Sequence, residues 1–150
     1  MAQSLSKILL HIVFSTKYRA KLILPECEER LHAYMATTCR TLGSLAFRVG
    51  GTSDHVHIAC SLPRTVTVAK LVEKIKASSS KWVKQEFPRC SQFRWQAGYG
   101  VFSLGQSQLN QLVRYIEGQR EHHRRQSLKD EIIALCERYR VEYDERYLWD

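Results

Sequence analysis

The sequence predicts an α+β chain of the ferredoxin-like type, with elements in the order β-α-β-β-α-β and an antiparallel sheet carrying two helices on one face. Three observations carry this reading. Two long stretches, 25–42 and about 66–87, repeat apolar residues at helical spacing. Four short stretches with strand character flank them, and the second and third of these are joined by the five-residue turn "GGTSD", which makes them a hairpin. Beyond the six elements the chain adds a third helix and a C-terminal helix.

The first strand is "KILLHIVFSTK", Lys7 to Lys17, rich in β-branched residues and ending in the basic turn Lys17-Tyr18-Arg19-Ala20-Lys21. Pro25 opens the first helix, along which Cys27, Leu31, Tyr34, Met35, Thr38 and Leu42 share a face, and Gly43 is a natural stop. "LAFRV" is the second strand. In the third, Val56, Ile58, Cys60 and Leu62 alternate with His55, His57, Ala59 and Ser61, the pattern of a strand with one face on a core. The second helix turns Val68, Leu71, Val72, Ile75 and Trp82 inward and Lys70, Lys74, Lys81 and Lys84 outward, and Pro88 ends it. "FRWQAGYGVFSL" supplies the fourth strand, in which Gly98 and Gly100 allow close approach of another backbone or a ligand. A third helix is expected from about Ser107 to Arg124. Ser127 caps a last one that runs to about Tyr139, ahead of an aromatic, acidic tail.

A chain of 150 residues, 44% hydrophobic, fits one domain spanning 1–150. No run of eighteen apolar residues occurs, and "ILLHIVF" is too short and too interrupted for a secretory signal, so a cytoplasmic protein without a membrane anchor is expected. Five scattered cysteines without a C-x-x-C pair suggest neither a disulfide framework nor a structural zinc site. The net charge of +8 and pI near 9.4 point to an acidic polymer as a partner, although charge of this size also serves solubility alone.

His55 and His57 are the first chemical signal. Successive strand residues alternate faces, so both imidazoles point the same way, roughly 7 Å apart along the backbone, close enough to tilt onto one metal ion. The same pattern also describes a plain exposed strand face. In the ferredoxin-like topology the first and third strands are central, so the pair emerges mid-sheet on the face without the two core helices. The third helix carries a second signal. Leu109, Leu112, Val113 and Ile116 form a narrow apolar arc, and beside it Gln108, Gln111, Tyr115, Gln119 and His122 fall within about 80° of one another. Asp54 caps the turn before the histidine strand or orients a histidine. His11, mid-strand, reads as structural. His122 lies seven residues beyond Tyr115, about 10.5 Å along a helix axis, too far for a direct proton partner.

"HVH" on the third strand, followed by "YIEGQ" on a helix after the fourth, resembles the single-tyrosine HUH transposases of insertion sequences and their REP-associated relatives. "HIVFSTKYR", "SDHVHI", "KIKASSSKW", "WQAGYGVFS" and "YIEGQREHH" extend the similarity along most of the chain. The resemblance implies a metal-dependent endonuclease and strand-transferase acting on single-stranded DNA that carries a short hairpin. It implies His55, His57 and Gln119 as ligands to Mg²⁺ or Mn²⁺, and Tyr115 as a nucleophile that forms a 5′-phosphotyrosine, with no nucleotide cofactor. It further implies Lys17, Arg19, Lys76, Ser79 and Lys81 as DNA contacts. A homodimer with shared sites is expected, because the short "LGQSQ" connection leaves few residues for the third helix to reach its own histidine face. The competing readings are a nucleic-acid-binding module without catalysis, and a domesticated REP-associated protein that no longer transposes.

Overall fold

The structure is a computed structural model that describes residues 2–150. Four strands form one antiparallel sheet in the order β2-β3-β1-β4: β1 Leu9–Ser15, β2 Ala46–Gly51, β3 His55–Ser61 and β4 Gly100–Leu104. Helices α1 (Pro25–Thr41) and α2 (Val68–Glu86) cover one face. Pro25 sits in the first turn of α1, Gly43 takes φ +86° just after it, and the Thr67 hydroxyl caps α2 by accepting from the Lys70 N–H. Between sheet and helices lies the main core, with Ile12, Phe14, Ile58, Leu31, Met35, Leu71 and Ile75 fully buried.

The other face is not open. Three further helices roof it: α3 (Leu109–Glu117), α4 (Gln119–His122) and α5 (Leu128–Tyr139). All seven β1 residues are consequently buried, and so are His55 and His57. The apolar arc of α3 packs as its spacing predicts, Leu109 and Ile116 against Leu9 and Ala59 of the sheet. Burying each of these two side chains contributes roughly 1.5–3 kcal/mol, which fixes α3 to the sheet. The expected single helix from Ser107 to Arg124 is interrupted at Gly118 (φ −91°, ψ 16°), a residue with poor helix propensity, and this break separates α3 from α4. The fourth strand is also shorter than expected. Residues 93–99 pair with β1 only through the isolated bridge Thr16–Trp95, and the backbone that approaches Gly98 is the chain's own tail, through the Asp150 carbonyl (2.8 Å).

The short connection Gly105–Gln108 carries α3 onto the sheet of its own chain. The reach argument for a partner's helix is thereby corrected: the turn Gln106–Gln108, held by the Gln108 side chain accepting from the Gly105 N–H, reverses the chain in little space. Close approach is made possible by Gly50 of β2. A Cβ there would lie 2.7 Å from Ile116 Cγ2 and 2.9 Å from the Ile116 carbonyl oxygen. The side chain could rotate, but the carbonyl belongs to the helix backbone. Gly50→Ala is therefore expected to lift α3 and lower the unfolding free energy by roughly 1–3 kcal/mol; a thermal melt unchanged from the parent would show that α3 tolerates displacement.

Candidate functional site

Strand β3 fixes His55 and His57 on one face, and the three roof helices bring other polar groups onto them. Gln119, the first residue after the break at Gly118, is turned inward and buried, its Oε1 lying 2.9 Å from His55 Nε2 and 3.0 Å from His123 Nε2. From α5 comes Glu131, also buried, with Oε1 2.7 Å from His57 Nε2 and Oε2 3.0 and 3.2 Å from Nε2 of His122 and His123. Tyr115 stands beside this cluster, its ring centroid 5.8 Å from that of His57 and its hydroxyl 3.3 Å from His122 Nε2.

That last contact corrects the rejection of His122 as a partner for Tyr115. Axial rise separates the two backbones, but a phenol and an imidazole extending toward each other across the break at Gly118 close the gap. Glu131 and His123 were missed altogether. The Ser127 cap and a helix to Tyr139 were legible, yet nothing in the local pattern of "SLKDEIIAL" shows that α5 folds back over β1 and turns a carboxylate inward.

The second contacts of the histidines set which nitrogen is bare. His55 Nδ1 lies 2.8 Å from Asp54 Oδ1 and 3.0 Å from Thr52 Oγ1. A carboxylate claims the proton there, so a neutral His55 presents a lone pair from Nε2 toward Gln119 Oε1, which has only lone pairs of its own. Burial opposes ionisation of Asp54, but the hydrogen bonds from His55 and Thr52 and the neighbouring imidazoles together outweigh it and hold the carboxyl below its usual range. His57 Nδ1 lies 2.7 Å from His11 Nε2. Burial, with the neighbouring His57, lowers His11 to a pKa of about 3, so it stays neutral and serves as a fixed second contact. Burial likewise lowers His57.

The donors fit a divalent cation. His57 Nε2 and both Glu131 oxygens are buried without a hydrogen-bond partner, although the nitrogen and Oε1 are only 2.7 Å apart; the pair is close but not aligned to share a proton. Leaving such groups unpaired in the interior is costly. One atom from each of His55, His57, His123 and Glu131 lies within 4.8 Å of all the others, and Gln119 Oε1 touches two of the set. Groups that crowd together without bonding to one another suit a shared positive centre. Burial works against the Glu131 charge, but the adjoining His123 and His57 imidazoles hold the carboxyl far below its usual range. Burial, reinforced by the Glu131 charge, pushes the Tyr115 phenol well above its usual value. As it stands, the phenol is a poor nucleophile.

The expected DNA contacts divide. Arg19 and Lys81 are exposed and Lys17 half-buried, Arg19 stacking over Trp149 of the tail at 4.5 Å. Tyr18 and Arg19 both take positive φ (55° and 58°), an uncommon pair for residues with side chains, and this projects the basic turn outward. Ser79 is corrected: it is fully buried on the inner face of α2, and its hydroxyl accepts from Trp95 Nε1 at 2.9 Å. Lys76 is corrected too. Its ammonium donates to the carbonyls of Gln96, Ala97 and Gly98 at 2.8, 3.1 and 2.6 Å, clamping the segment before β4. Burial lowers its pKa to about 8. Lys76→Met should lower stability by roughly 1.5–3 kcal/mol, the range for hydrogen bonds to a charged group, while leaving the salt dependence of DNA binding unchanged; a shallower salt slope without loss of stability would restore it as a phosphate contact.

Among the described residues no helix is long and apolar enough to cross a membrane. No curated protein matches the sequence. Several solved structures share the fold, two of them informative. One is a protein from Deinococcus radiodurans R1 described as a candidate transposase, with TM-score 0.62, 20% identity, and coverage of 79% of this chain and 98% of that one. The other is a REP-associated tyrosine transposase bound to a REP hairpin, with TM-score 0.59, 14% identity, and coverage of 82% and 74%. The family described as "Transposase IS200 like" matches residues 4–119, from before β1 through Gln119. With that match over most of its length, the chain belongs to the IS200-like transposase family.

Proposed function

We propose that this protein is a single-strand DNA endonuclease and strand-transferase in which Tyr115 is the nucleophile and His55, His57 and Gln119, joined by Glu131 and His123, hold a divalent cation. The observation that carries the reading is the convergence in one chain of a phenol and a buried set of nitrogen and oxygen donors, two members of which have no hydrogen-bond partner. A binding module without chemistry has no use for such a cluster. Bound there, the cation supplies positive charge that polarises the scissile phosphate and offsets charge in the transition state. An imidazole-rich set with one carboxylate suits Mn²⁺ better than Mg²⁺, which prefers all-oxygen surroundings.

The chain's own groups do the rest. The Tyr115 oxygen attacks phosphorus, forming the Tyr–O–P bond as the P–O3′ bond breaks. The phenol's proton passes to His122 Nε2, 3.3 Å from the hydroxyl, and the departing 3′ oxygen takes up a proton to leave as a free hydroxyl. The phosphodiester is conserved as a 5′-phosphotyrosine, so no nucleotide cofactor is consumed, and a 3′-hydroxyl attacking in reverse rejoins strands. Lys17, Arg19 and Lys81 contact backbone phosphates, and the hairpin held by the REP-associated neighbour makes a stem–loop the natural recognition element. Tyr115 and the histidines meet within one chain, so the reading requires no second subunit. The test is to incubate the protein with single-stranded oligonucleotides carrying a stem–loop and Mn²⁺. A denaturation-resistant protein–DNA adduct is expected; a nicked product with no covalent intermediate would point to hydrolysis by water instead.

A further inference from the structure

A cavity of about 300 Å³ opens between α3 and α5 directly above the phenol. Tyr115, His122, Glu131 and His11 form its inner end; Leu104, Leu112, Ala134 and Leu135 give it apolar walls; Gln108, Gln111 and Gln126 line its polar side. Arg138 and Tyr139, both at the exposed end of α5, stand at its mouth, and the Tyr139 ring rests against Phe102 with centroids 5.1 Å apart. The stripe Gln108, Gln111, Tyr115 and His122 along the helix after the fourth strand is thus one wall of a pocket. The opposite wall, α5, lies beyond the residues 4–119 that match the family, so that wall is not carried by the family match.

We propose that this cavity seats the base of one nucleotide adjoining the scissile phosphate, with the Arg138 guanidinium on a neighbouring phosphate. The chemistry matches on each side. Flat apolar walls and a rim tyrosine suit the faces of an unstacked base, and carboxamides, each offering a donor beside an acceptor, suit its hydrogen-bonding edge. The Gln108 carboxamide is already engaged by the Gly105 N–H at 2.9 Å, so the amides offered to an occupant are those of Gln111 and Gln126. Occupancy places the adjoining phosphate at the inner end, against the Tyr115 hydroxyl, so that reading the base also aligns the reacting atoms. A base held here gives the cleavage point a sequence requirement separate from recognition of any hairpin.

The inference rests on Tyr115 as nucleophile, and the experiment separates the two. Oligonucleotides with a constant stem–loop and randomised flanks are incubated with the full chain and Mn²⁺, the covalent adducts are isolated, and both the linked and the released ends are sequenced. The wild-type chain should show a preference at a nucleotide adjoining the cleaved bond, and an abasic substitution at that nucleotide should slow adduct formation about tenfold, as expected for loss of stacking and edge contacts. Gln111→Ala, at an exposed position, should reduce the base preference about tenfold, and Arg138→Ala should raise KM with little change in kcat. Ala134→Phe, which fills the cavity from an exposed backbone position, should react equally with base-bearing and abasic strands. Adducts that form in the wild-type chain with no preference beside the cleaved bond, or with a preference unaltered in Gln111→Ala and Ala134→Phe, overturn the pocket and leave the nucleophile standing. No adduct in the wild-type chain with any flank overturns the nucleophile, and the pocket with it.

Discussion

Tyr115→Phe is expected to reduce formation of the covalent protein–DNA adduct by at least about a thousandfold, the scale of losses on removing a nucleophile, while DNA affinity and stability stay close to those of the parent. The substitution removes one oxygen. The ring that packs against His57 and His11, at centroid distances of 5.8 and 6.3 Å, remains, and the hydroxyl gives up only a long contact of 3.3 Å to His122. Loss of one such hydrogen bond changes stability by about 1 kcal/mol or less. Affinity is preserved because phosphate contacts from Lys and Arg supply most of it. Denaturing gel electrophoresis measures the adduct, and peptide mapping places it. The sharpest rival is Tyr139, which lines the same cavity; Tyr143 and Tyr147 lie in the tail. An adduct that persists in Tyr115→Phe and maps to Tyr139 would overturn the assignment. Because Tyr115 and the histidines meet in one chain, mixing Tyr115→Phe with a His55→Ala, His57→Ala chain should restore no activity, whereas restored cleavage would show that the helices exchange between subunits.

The sheet and its core helices were legible because each residue pattern there answers to a single partner. Alternation in "HVHIACS" places Val56, Ile58 and Cys60 on α1 and α2, and the helical period of α2 buries Leu71, Val72 and Ile75 against the same layer. The family motif likewise brought His55, His57, Tyr115 and Gln119 to notice before any geometry was known. What sequence could not supply was the far side of the sheet. Glu131 sits in "SLKDEIIAL", where a carboxylate in the first turn of a helix has an ordinary electrostatic role at the helix N-terminus, and only the return of α5 over β1 turns it into a neighbour of three imidazoles. Ser79 and Lys76 fail for the opposite reason. Both lie in a polar, basic stretch that reads as a solvated helix face, yet Trp95 and the carbonyls of 96–98, 16 to 22 residues further along the chain, reach them because the segment before β4 runs back beside α2.

Glu131→Gln and His57→Ala are each expected to abolish the stabilisation that Mn²⁺ gives the parent protein and to suppress cleavage far more than DNA binding. A cation that binds only the folded chain raises stability by about 2.7 kcal/mol at a hundred times its dissociation constant, a shift readily seen in a thermal melt. Glu131 provides the single carboxylate of the cluster, and its exchange for an amide of the same shape removes the charge but keeps the volume, so the fold is retained while cation affinity falls at least about 10–100-fold, the loss typical even of groups one step removed from a metal. His57→Ala removes a nitrogen that is buried and without a hydrogen-bond partner. It also leaves His11 without its 2.7 Å partner, so a lower melting temperature in the absence of metal accompanies the loss of response. DNA affinity, measured without metal by filter binding across a salt series, should be unchanged in Glu131→Gln, because phosphate contacts set that slope. Two results would sink the assignment: a Mn²⁺-dependent rise in melting temperature that survives in both variants, which would place the cation elsewhere, or an equal fall of binding and cleavage in Glu131→Gln, which would make the cluster a structural support for the DNA surface. Mg²⁺ provides the contrast. With three imidazoles in the set, the parent should require a higher concentration of Mg²⁺ than of Mn²⁺ for the same thermal shift, and the reverse order would indicate that oxygen donors alone, Glu131 and Gln119, hold the ion.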